Sequence, residues 1–242
     1  MHIREIKILS SAFPSRDCYP FELEIFNQTE SLVFDKPITF FIGENGTGKS
    51  TLLKAMAKRC SIHIWRDEEG YQRKVFYNNP QAEELYRYLK VEWVHERVPG
   101  SYFDSEIFRY FAECLDEWAK PSPALFNYYG GDSLIAQSHG QRHIQYFNST
   151  YRKKGIYFLD EPENALSPKR QIELLKILKE ASAGGQVQFI IVTHSPILLS
   201  YPEATIFSFD ALPIREMTYE DTDYFKIYRD FLNHRDRYLK NL

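Results

Sequence analysis

Residues 38–57 read ITFFIGENGTGKSTLLKAMA, and this stretch decides the fold class. Its middle, Gly43 to Ser50, fits the pattern G-x-x-x-x-G-K-[ST], with an apolar run before it and a helical pattern after it. Glycines in such a loop let successive backbone N–H groups turn inward, and with the helix N-terminus they form a positive nest for phosphates. The pattern therefore predicts a phosphate-binding loop between a buried strand and a helix.

Two further apolar runs resemble the one before the loop. Residues 156–159 are followed by Asp160 and Glu161, and residues 187–192 are followed by Thr193 and His194. Continuous apolar runs of this length are typical of central strands in a parallel sheet that is covered on both faces. Since ligands of open α/β sheets bind at the carboxyl ends of the strands, we expect these polar residues to meet the phosphate-binding loop.

These residues are also the candidates for chemistry at that edge. Lys49 is expected to reach the β- and γ-phosphates of a nucleotide, and the Ser50 hydroxyl to ligate Mg²⁺. Asp160 suits the Mg²⁺ shell, and Glu161 suits a base that polarises an attacking water. His194 is expected to hydrogen-bond the γ-phosphate or that water. A strand that ends in Asp-Glu or in a lone histidine is often simply solvated there, so the roles of Asp160, Glu161 and His194 depend on their combination with the phosphate-binding loop.

The rest of the chain predicts how this core is extended. Ile3–Leu9 and Phe21–Ile25 alternate between apolar and polar residues, which favours antiparallel edge strands. Helices are predicted over 81–90, after Ser105, after Ser138 and from Thr222 to about Tyr238. The sequence thus predicts one α/β domain over 1–242, with a core of about 1–77 and 151–242 and an inserted helical lobe of about 78–150.

Composition excludes several classes of protein. The three cysteines are far apart and odd in number, which argues against a disulfide framework and against a zinc site. The net charge of −3 gives the protein no overall electrostatic attraction to nucleic acid or anionic lipid. The apolar runs fall short of the ~20 residues that a membrane-spanning helix needs, and the N-terminus lacks the pattern of a signal peptide. We therefore expect a cytoplasmic protein with no membrane segment.

A fourth segment, residues 137–141, reads QSHGQ and precedes a helical pattern. A hydroxyl and a glycine at a helix N-terminus form a second potential anion site, although a simple serine N-cap is the commoner explanation.

The four segments, in this order, resemble the ATP-binding-cassette (ABC-type) ATPases. By that resemblance Gly43–Ser50 is Walker A, residues 137–141 are the signature motif, Asp160 and Glu161 are Walker B with its catalytic glutamate, and His194 is the switch histidine. The intervals 160 − 141 = 19 and 194 − 160 = 34 are similar to those of the family. The resemblance covers essentially the whole chain, and it implies a P-loop NTPase fold of ABC type.

The resemblance also implies the cofactors, ATP and Mg²⁺, and the residues that hold them. Bound within one chain, ATP would contact Gly43, Glu44, Asn45, Gly46, Thr47, Gly48, Lys49, Ser50 and Thr51. From a second chain it would be contacted by Ser138, His139, Gly140 and Gln141. Catalysis would use Glu161, His194 and Lys49, and the metal would use Ser50, Asp160 and, as the weakest candidate, Glu106.

Several family positions depart from the usual pattern or stay open. Gln137 and His139 replace the usual leucine and first glycine of the signature, and Ser167 stands where an aspartate is usual in the following D-loop. The Q-loop residue is not evident; Gln72, Gln81 and Glu106 are candidates. Phe13 and Tyr19 are both candidates for the aromatic residue that stacks on adenine.

One chain carries one Walker A and one signature motif, so a composite site requires a second copy in a head-to-tail dimer. The variant motifs resemble small stand-alone bacterial AAA/ABC-type ATPases related to the chromosome-maintenance and DNA-repair branch. That resemblance implies an ATPase that drives an unidentified partner or effector, in genome maintenance or phage defence. The alternatives are the ATP-binding subunit of a membrane transporter and a nucleotide-gated binding module with little turnover.

Basic clusters at residues 152–154 and 169–170 are candidates for nucleic-acid contact, although such clusters usually form solvated surface.

Overall fold

The computed structural model describes residues 1–65, 83–105, 107–129, 133 and 139–240. Its strands, in chain order, are β1 (Ile3–Ile8), β2 (Ser31–Val33), β3 (Ile38–Ile42), β4 (Leu89–Trp93), β5 (Gly100–Asp104), β6 (Gly155–Asp160), β7 (Val187–Val192), β8 (Ala204–Ser208) and β9 (Arg215–Met217). Its helices are α1 (Glu24–Gln28), α2 (Lys49–Arg59), α3 (Phe108–Ala119), α4 (His139–Thr150), α5 (Pro168–Ser182), α6 (Pro196–Leu199), α7 (Asp223–Asn233) and α8 (Arg235–Leu239).

Within the described residues the larger sheet has the strand order β5-β6-β7-β3-β8-β9. Neighbouring strands run parallel, except that β9 pairs antiparallel with β8. Phe40 of β3 pairs with Ile191 of β7 on one side and with Ile206 of β8 on the other. This order puts the carboxyl ends of β6, β7 and β3 side by side, which is the edge where the chemistry-bearing residues are predicted.

Apolar side chains cover both faces of this sheet. Along β3, Phe41 packs into the cluster that includes α2 and the smaller sheet, whereas Phe40 and Ile42 pack into the cluster that includes α3, α4 and α5. Phe158 and Leu159 of β6 divide between the two clusters in the same way. Burial on both faces explains why these strands are continuously apolar.

The predicted fold class is confirmed: the structure is α/β, with a mainly parallel central sheet whose β3, β6 and β7 coincide with the three apolar runs. The antiparallel N-terminal part forms a separate sheet of order β2-β1-β4. The helix predicted after Ser105 begins at Phe108. The last predicted helix is present as α7 and α8, which are divided at His234.

The strand predicted over Phe21–Ile25 is wrong, because this segment turns into α1. The Asn27 side-chain amide donates to the carbonyl of Phe21 at 2.8 Å and to that of Leu23 at 3.1 Å, so these carbonyls are bonded locally instead of to a neighbouring strand. Ile25 and Phe26 are both buried, a pattern that a one-sided strand does not allow.

The helix predicted over 81–90 is also wrong in its described part. Residues Leu85–Tyr88 form a 3-10 turn, and β4 begins at Leu89. Leu89 and Val91 pair with Ile8 and Ile6 of β1, so tertiary pairing outweighs the local helical pattern.

Consequently, the segment of about 78–150 is not purely helical. It supplies β4 to the smaller sheet and β5 to the edge of the larger one, and its described helices start at Phe108. Among the described residues, no helix has both the length and the apolar character needed to cross a membrane.

Candidate nucleotide site

The predicted phosphate-binding loop joins β3 to α2, as the sequence pattern requires. Gly43, Gly46 and Gly48 have φ values of +140°, +84° and +97°, which a residue with a side chain rarely adopts. Asp210 follows β8 and was not predicted from the sequence. Its Oδ1 accepts a hydrogen bond from the Glu44 N–H at 2.7 Å, which stabilises the loop. The loop is therefore shaped by glycine conformation and by a carboxylate from a distant strand end.

Gly48 has a second requirement, which is close packing. A Cβ atom there would lie 2.8 Å from Cζ of Phe26, whereas a Cβ on Gly46 would meet no described atom within 4 Å. Both alanine variants carry the left-handed backbone cost of about 1–2 kcal/mol, but only Gly48→Ala adds crowding of about 1–3 kcal/mol. We expect thermal unfolding to show a larger decrease in Tm for Gly48→Ala, by roughly 2–4 °C per kcal/mol. Equal Tm values for the two variants would contradict the packing of Phe26 against the loop.

Lys49 is buried inside the loop. Its Nζ donates to the carbonyl oxygens of Gly43 at 2.6 Å and Glu44 at 2.7 Å. Burial lowers the pKa of Lys49, and the nearby carboxylates of Asp210 and Glu161 partly offset this effect. The ammonium group is thus already placed among the loop's backbone groups, where a bound phosphate would replace the two carbonyls as its partner.

Asp160, at the end of β6, lies beside the loop as predicted. Its Oδ1 accepts a hydrogen bond from Ser50 Oγ at 2.8 Å, and its Oδ2 accepts one from the Tyr102 hydroxyl at 2.7 Å. Lys54 Nζ lies 3.9 Å from Oδ2 and 3.5 Å from Asp104 Oδ2. Burial raises the pKa of Asp160, while Lys54, Tyr102 and Ser50 lower it.

Tyr102 and Asp104 are site residues that the sequence analysis missed. Both belong to β5, where Asp104 pairs in register with Asp160. The sequence places their segment in the predicted helical lobe, where no strand end is expected. The local sequence Ser101-Tyr102-Phe103-Asp104 places two adjacent aromatic residues between polar ones, and four residues are too few to identify a strand.

Glu161 follows directly, with a left-handed backbone at φ +46°. Asn164 Nδ2 donates to Glu161 Oε2 at 2.6 Å, and Glu161 Oε1 lies 3.5 Å from His194 Nε2. A left-handed non-glycine residue costs free energy and is often found at functional sites. The structure therefore brings together the predicted base and the predicted switch histidine.

His194 is held at the end of β7 by two residues that the sequence analysis missed. Its Nδ1 lies 2.6 Å from the Tyr224 hydroxyl of α7, and its backbone N–H donates to Glu163 Oε1 at 2.6 Å. Glu163 also accepts the Thr193 hydroxyl at 2.7 Å. Burial, followed by the charge of Lys49, lowers the pKa of His194. Glu163 stands in the predicted D-loop, so the turn after β6 is bonded to the end of β7.

The predicted signature motif lies at the start of α4, and it is described only from residue 139 onward. Gly140 approaches the Ala165 carbonyl, which a Cβ at Gly140 would meet at 3.6 Å, and Gln141 is exposed. Gln137, Ser138 and the His139 side chain lie outside the described part of the chain. The signature helix therefore begins beside its own D-loop segment.

Tyr19 and Phe13, the two candidates for adenine stacking, occupy different environments. Phe13 packs its ring on Phe21 at 4.8 Å and on Tyr88 at 5.6 Å, as part of the core. Tyr19 is 39% exposed, and its hydroxyl bonds Thr51 Oγ1, immediately after the phosphate-binding loop. This placement favours Tyr19. The Q-loop candidates Gln72, Gln81 and Glu106 all lie outside the described residues.

The oxygen atoms around Ser50 and Asp160 fit a hard divalent cation. A serine hydroxyl and a carboxylate oxygen 2.8 Å apart are ligands that Mg²⁺ prefers, and Mg²⁺ commonly uses only one or two protein ligands beside phosphates and waters. The described ranges contain no cluster of three or more His, Cys, Asp or Glu side chains that could hold a metal. Glu106, the third predicted ligand, lies outside those ranges.

Comparison with protein-family models gives two matches. Residues 134–200 match the model described as "AAA domain, putative AbiEii toxin, Type IV TA system", and residues 22–57 match a model described as "AAA domain". The first match spans the predicted signature, Walker B and switch histidine, and the second spans the phosphate-binding loop.

Two curated relatives are named as import ATP-binding proteins. The thiamine import ATP-binding protein ThiQ of Haemophilus influenzae (strain 86-028NP) is 26% identical over 163 residues, covering 64% of this chain and 74% of that protein. The hemin import ATP-binding protein HmuV of Vibrio parahaemolyticus is 27% identical over 178 residues, covering 67% of each.

Solved structures share the fold. A structure described as "an inward-facing conformation of a putative metal-chelate type ABC transporter" matches with a TM-score of 0.52 at 15% identity, covering 94% of this chain and 88% of that one. An ATP-binding subunit of an ABC transporter matches with a TM-score of 0.51 at 16% identity, covering 95% and 93%. Together with the loop and strand-end geometry, these matches show that the chain has the fold of the ABC-type P-loop ATPases and is similar in sequence to ABC-type ATP-binding proteins.

Proposed function

We propose that this protein is a Mg²⁺-dependent ATPase, built as one ABC-type domain that works as an ATP-sandwich dimer in the cytoplasm. The observation that carries the proposal is the meeting of three strand ends: Asp160 bonds Ser50 of the phosphate-binding loop, and Glu161 lies 3.5 Å from His194. A metal-binding carboxylate, a base and a polar partner at a phosphate nest are the parts that ATP hydrolysis requires.

Each residue has a distinct task in this proposal. The loop N–H groups and Lys49 bind the phosphates, and Lys49 exchanges its two backbone carbonyls for phosphate oxygens. Ser50 and Asp160 would hold Mg²⁺, which neutralises charge on the β- and γ-phosphates when bound. Glu161 orients a water and takes one of its protons while the water oxygen bonds to the γ-phosphorus. The bond from the γ-phosphorus to the bridging oxygen breaks with its electron pair, which leaves on ADP.

The direct test is phosphate release from ATP by the purified protein, with and without Mg²⁺. Mg²⁺-dependent release supports the proposal. A protein that binds ATP but releases no phosphate, alone or as a dimer, would favour the nucleotide-gated binding module.

The dimer is tested at the signature motif. If Ser138 contacts ATP only from a second chain, Ser138→Arg should leave ATP binding to the monomer nearly unchanged while it abolishes ATP-dependent dimerisation and turnover. Ser122→Arg, on an exposed residue before the 3-10 turn Pro123–Tyr128, is the matched control and should change neither. Calorimetry measures binding, and light scattering measures dimerisation. Weaker binding in monomeric Ser138→Arg would place Ser138 in its own chain's site and contradict the trans arrangement.

The proposed ATPase drives a partner protein. We infer a soluble effector, in genome maintenance or phage defence, because the matched family model carries a toxin description and the signature departs from the usual pattern. The relatives named as import ATP-binding proteins favour a second candidate, the ATP-binding subunit of a transporter. Capturing the partner protein from the host with ATP-trapped Glu161→Gln distinguishes these two candidate functions. An integral membrane protein as the stoichiometric partner would support the transporter subunit and overturn the effector.

The basic clusters are partly offset by acidic neighbours. Lys154 lies 3.8 Å from Glu96, and Arg170 lies 2.5 Å from Glu173. These pairs weigh against a nucleic-acid surface at the clusters.

A further inference from the structure

Lys54, one turn beyond Ser50 on α2, lies between the ends of two strands. Its Nζ is 3.5 Å from Asp104 Oδ2 at the end of β5 and 3.9 Å from Asp160 Oδ2 at the end of β6. The two aspartate side chains are nearly buried, at 12% and 7% exposure, whereas the Lys54 side chain is 43% exposed. One ammonium group at the surface is thus shared by two carboxylates that have little access to water.

This shared contact differs from an ordinary surface ion pair. Exposed pairs contribute little because water screens them, but carboxylates that are withdrawn from water interact more strongly with a nearby cation. Asp160 also accepts two hydroxyl hydrogen bonds, from Ser50 Oγ to Oδ1 at 2.8 Å and from Tyr102 to Oδ2 at 2.7 Å. Each oxygen of Asp160 therefore already faces a donor, and Lys54 balances part of its negative charge.

A divalent cation that binds at Ser50 and Asp160 would have to compete with this ammonium group. The cation and Lys54 repel each other, and both are attracted by the same pair of carboxylates. Mg²⁺ is usually held by one or two carboxylates together with the phosphates of a nucleotide. The phosphates of ATP, bound in the adjacent loop, would add the negative charge that two partly neutralised carboxylates lack.

We propose that Lys54 is the counter-ion of the metal site and makes binding of the divalent cation depend on nucleotide. While no nucleotide is bound, Lys54 opposes the entry of a cation at Asp104 and Asp160. When ATP is bound, its phosphates outweigh this repulsion, and the cation binds with them. Lys54 acts through the two carboxylates and is therefore a positioning residue. This inference rests on the metal site of the proposed ATPase.

The test measures Mn²⁺ binding to the nucleotide-free protein by electron paramagnetic resonance, in which the signal of free Mn²⁺ falls as the ion binds. Lys54→Met keeps the length of the side chain and removes its charge. We expect this variant to bind Mn²⁺ at least about 10-fold more tightly than the wild type, because the two nearly buried carboxylates then lack their ammonium group. Lys54→Arg retains the charge and should match the wild type. Lys58→Met, one turn further along α2 and paired with Glu83, is the matched control and should also match it.

A double variant, Lys54→Met with Asp160→Asn, locates the added affinity, which it should lose. Equal Mn²⁺ affinity in nucleotide-free wild type and Lys54→Met, with thermal unfolding showing that both are folded, would overturn the inference. So would added affinity that survives in the double variant, because the ion would then bind elsewhere. Calorimetry of ATP binding to the wild type, with and without Mn²⁺, tests the metal site itself. The same ATP affinity in both conditions would refute that site and with it this part of the proposed function, whatever the Lys54 variants show.

Discussion

Glu161→Gln is expected to lower ATP turnover by roughly 10²–10⁴-fold and to leave ATP binding intact. Glutamine keeps the shape of the side chain, and its amide oxygen can still accept the 2.6 Å bond from Asn164 Nδ2. Its amide N–H can donate to His194 Nε2, so the site should keep its geometry. What the variant loses is the negative charge that orients the attacking water and takes its proton.

Because hydrolysis is what reopens the proposed sandwich, Glu161→Gln should accumulate as a dimer with ATP and Mg²⁺ and remain monomeric with ADP. Light scattering measures this directly. Glu180→Gln, the same change on an exposed residue of α5, is the control and should behave as the wild type. Wild-type turnover in Glu161→Gln would show that Glu161 is not the base. An inactive variant that stays monomeric with ATP would preserve the ATPase and refute the sandwich.

Lys49→Ala is expected to weaken ATP binding by about 10-fold or more. Lys49 places an ammonium group within the phosphate nest, and a charge-assisted contact of this kind contributes ~1.5–3 kcal/mol. Its hydrogen bonds to the carbonyls of Gly43 and Glu44 place the group within the loop. Calorimetric titration with ATP measures the loss.

Lys58→Ala is the matched control, because Lys58 lies on the same helix α2 and forms an ion pair with Glu83 at 2.5 Å, outside the loop. It should leave ATP affinity unchanged. Thermal unfolding of both variants checks that the fold is retained. Unchanged ATP affinity in folded Lys49→Ala would contradict the assignment of the phosphate-binding loop.

The sequence by itself determined the parts of this protein in which neighbouring residues decide the structure. The glycines and Lys49 of the phosphate-binding loop, and the apolar runs of β3, β6 and β7, were recognisable because loop conformation and two-sided burial impose patterns within a few residues. Parallel strands share a carboxyl edge, so the proximity of Asp160, Glu161 and His194 to the loop followed from order alone.

Tertiary structure decided the rest, and in each case the deciding partner is distant in sequence. Residues 89–90 have a helical pattern in isolation, but pairing with β1 makes them part of a strand. β4 begins at Leu89 because Ile8 lies opposite it. Tyr102 reaches Asp160 across 58 positions, and Tyr224 reaches Gly43 across 181. A single hydroxyl on an aromatic ring leaves no periodic trace in the sequence, and only the packing of β5 and α7 against the strand ends brings these two to the site.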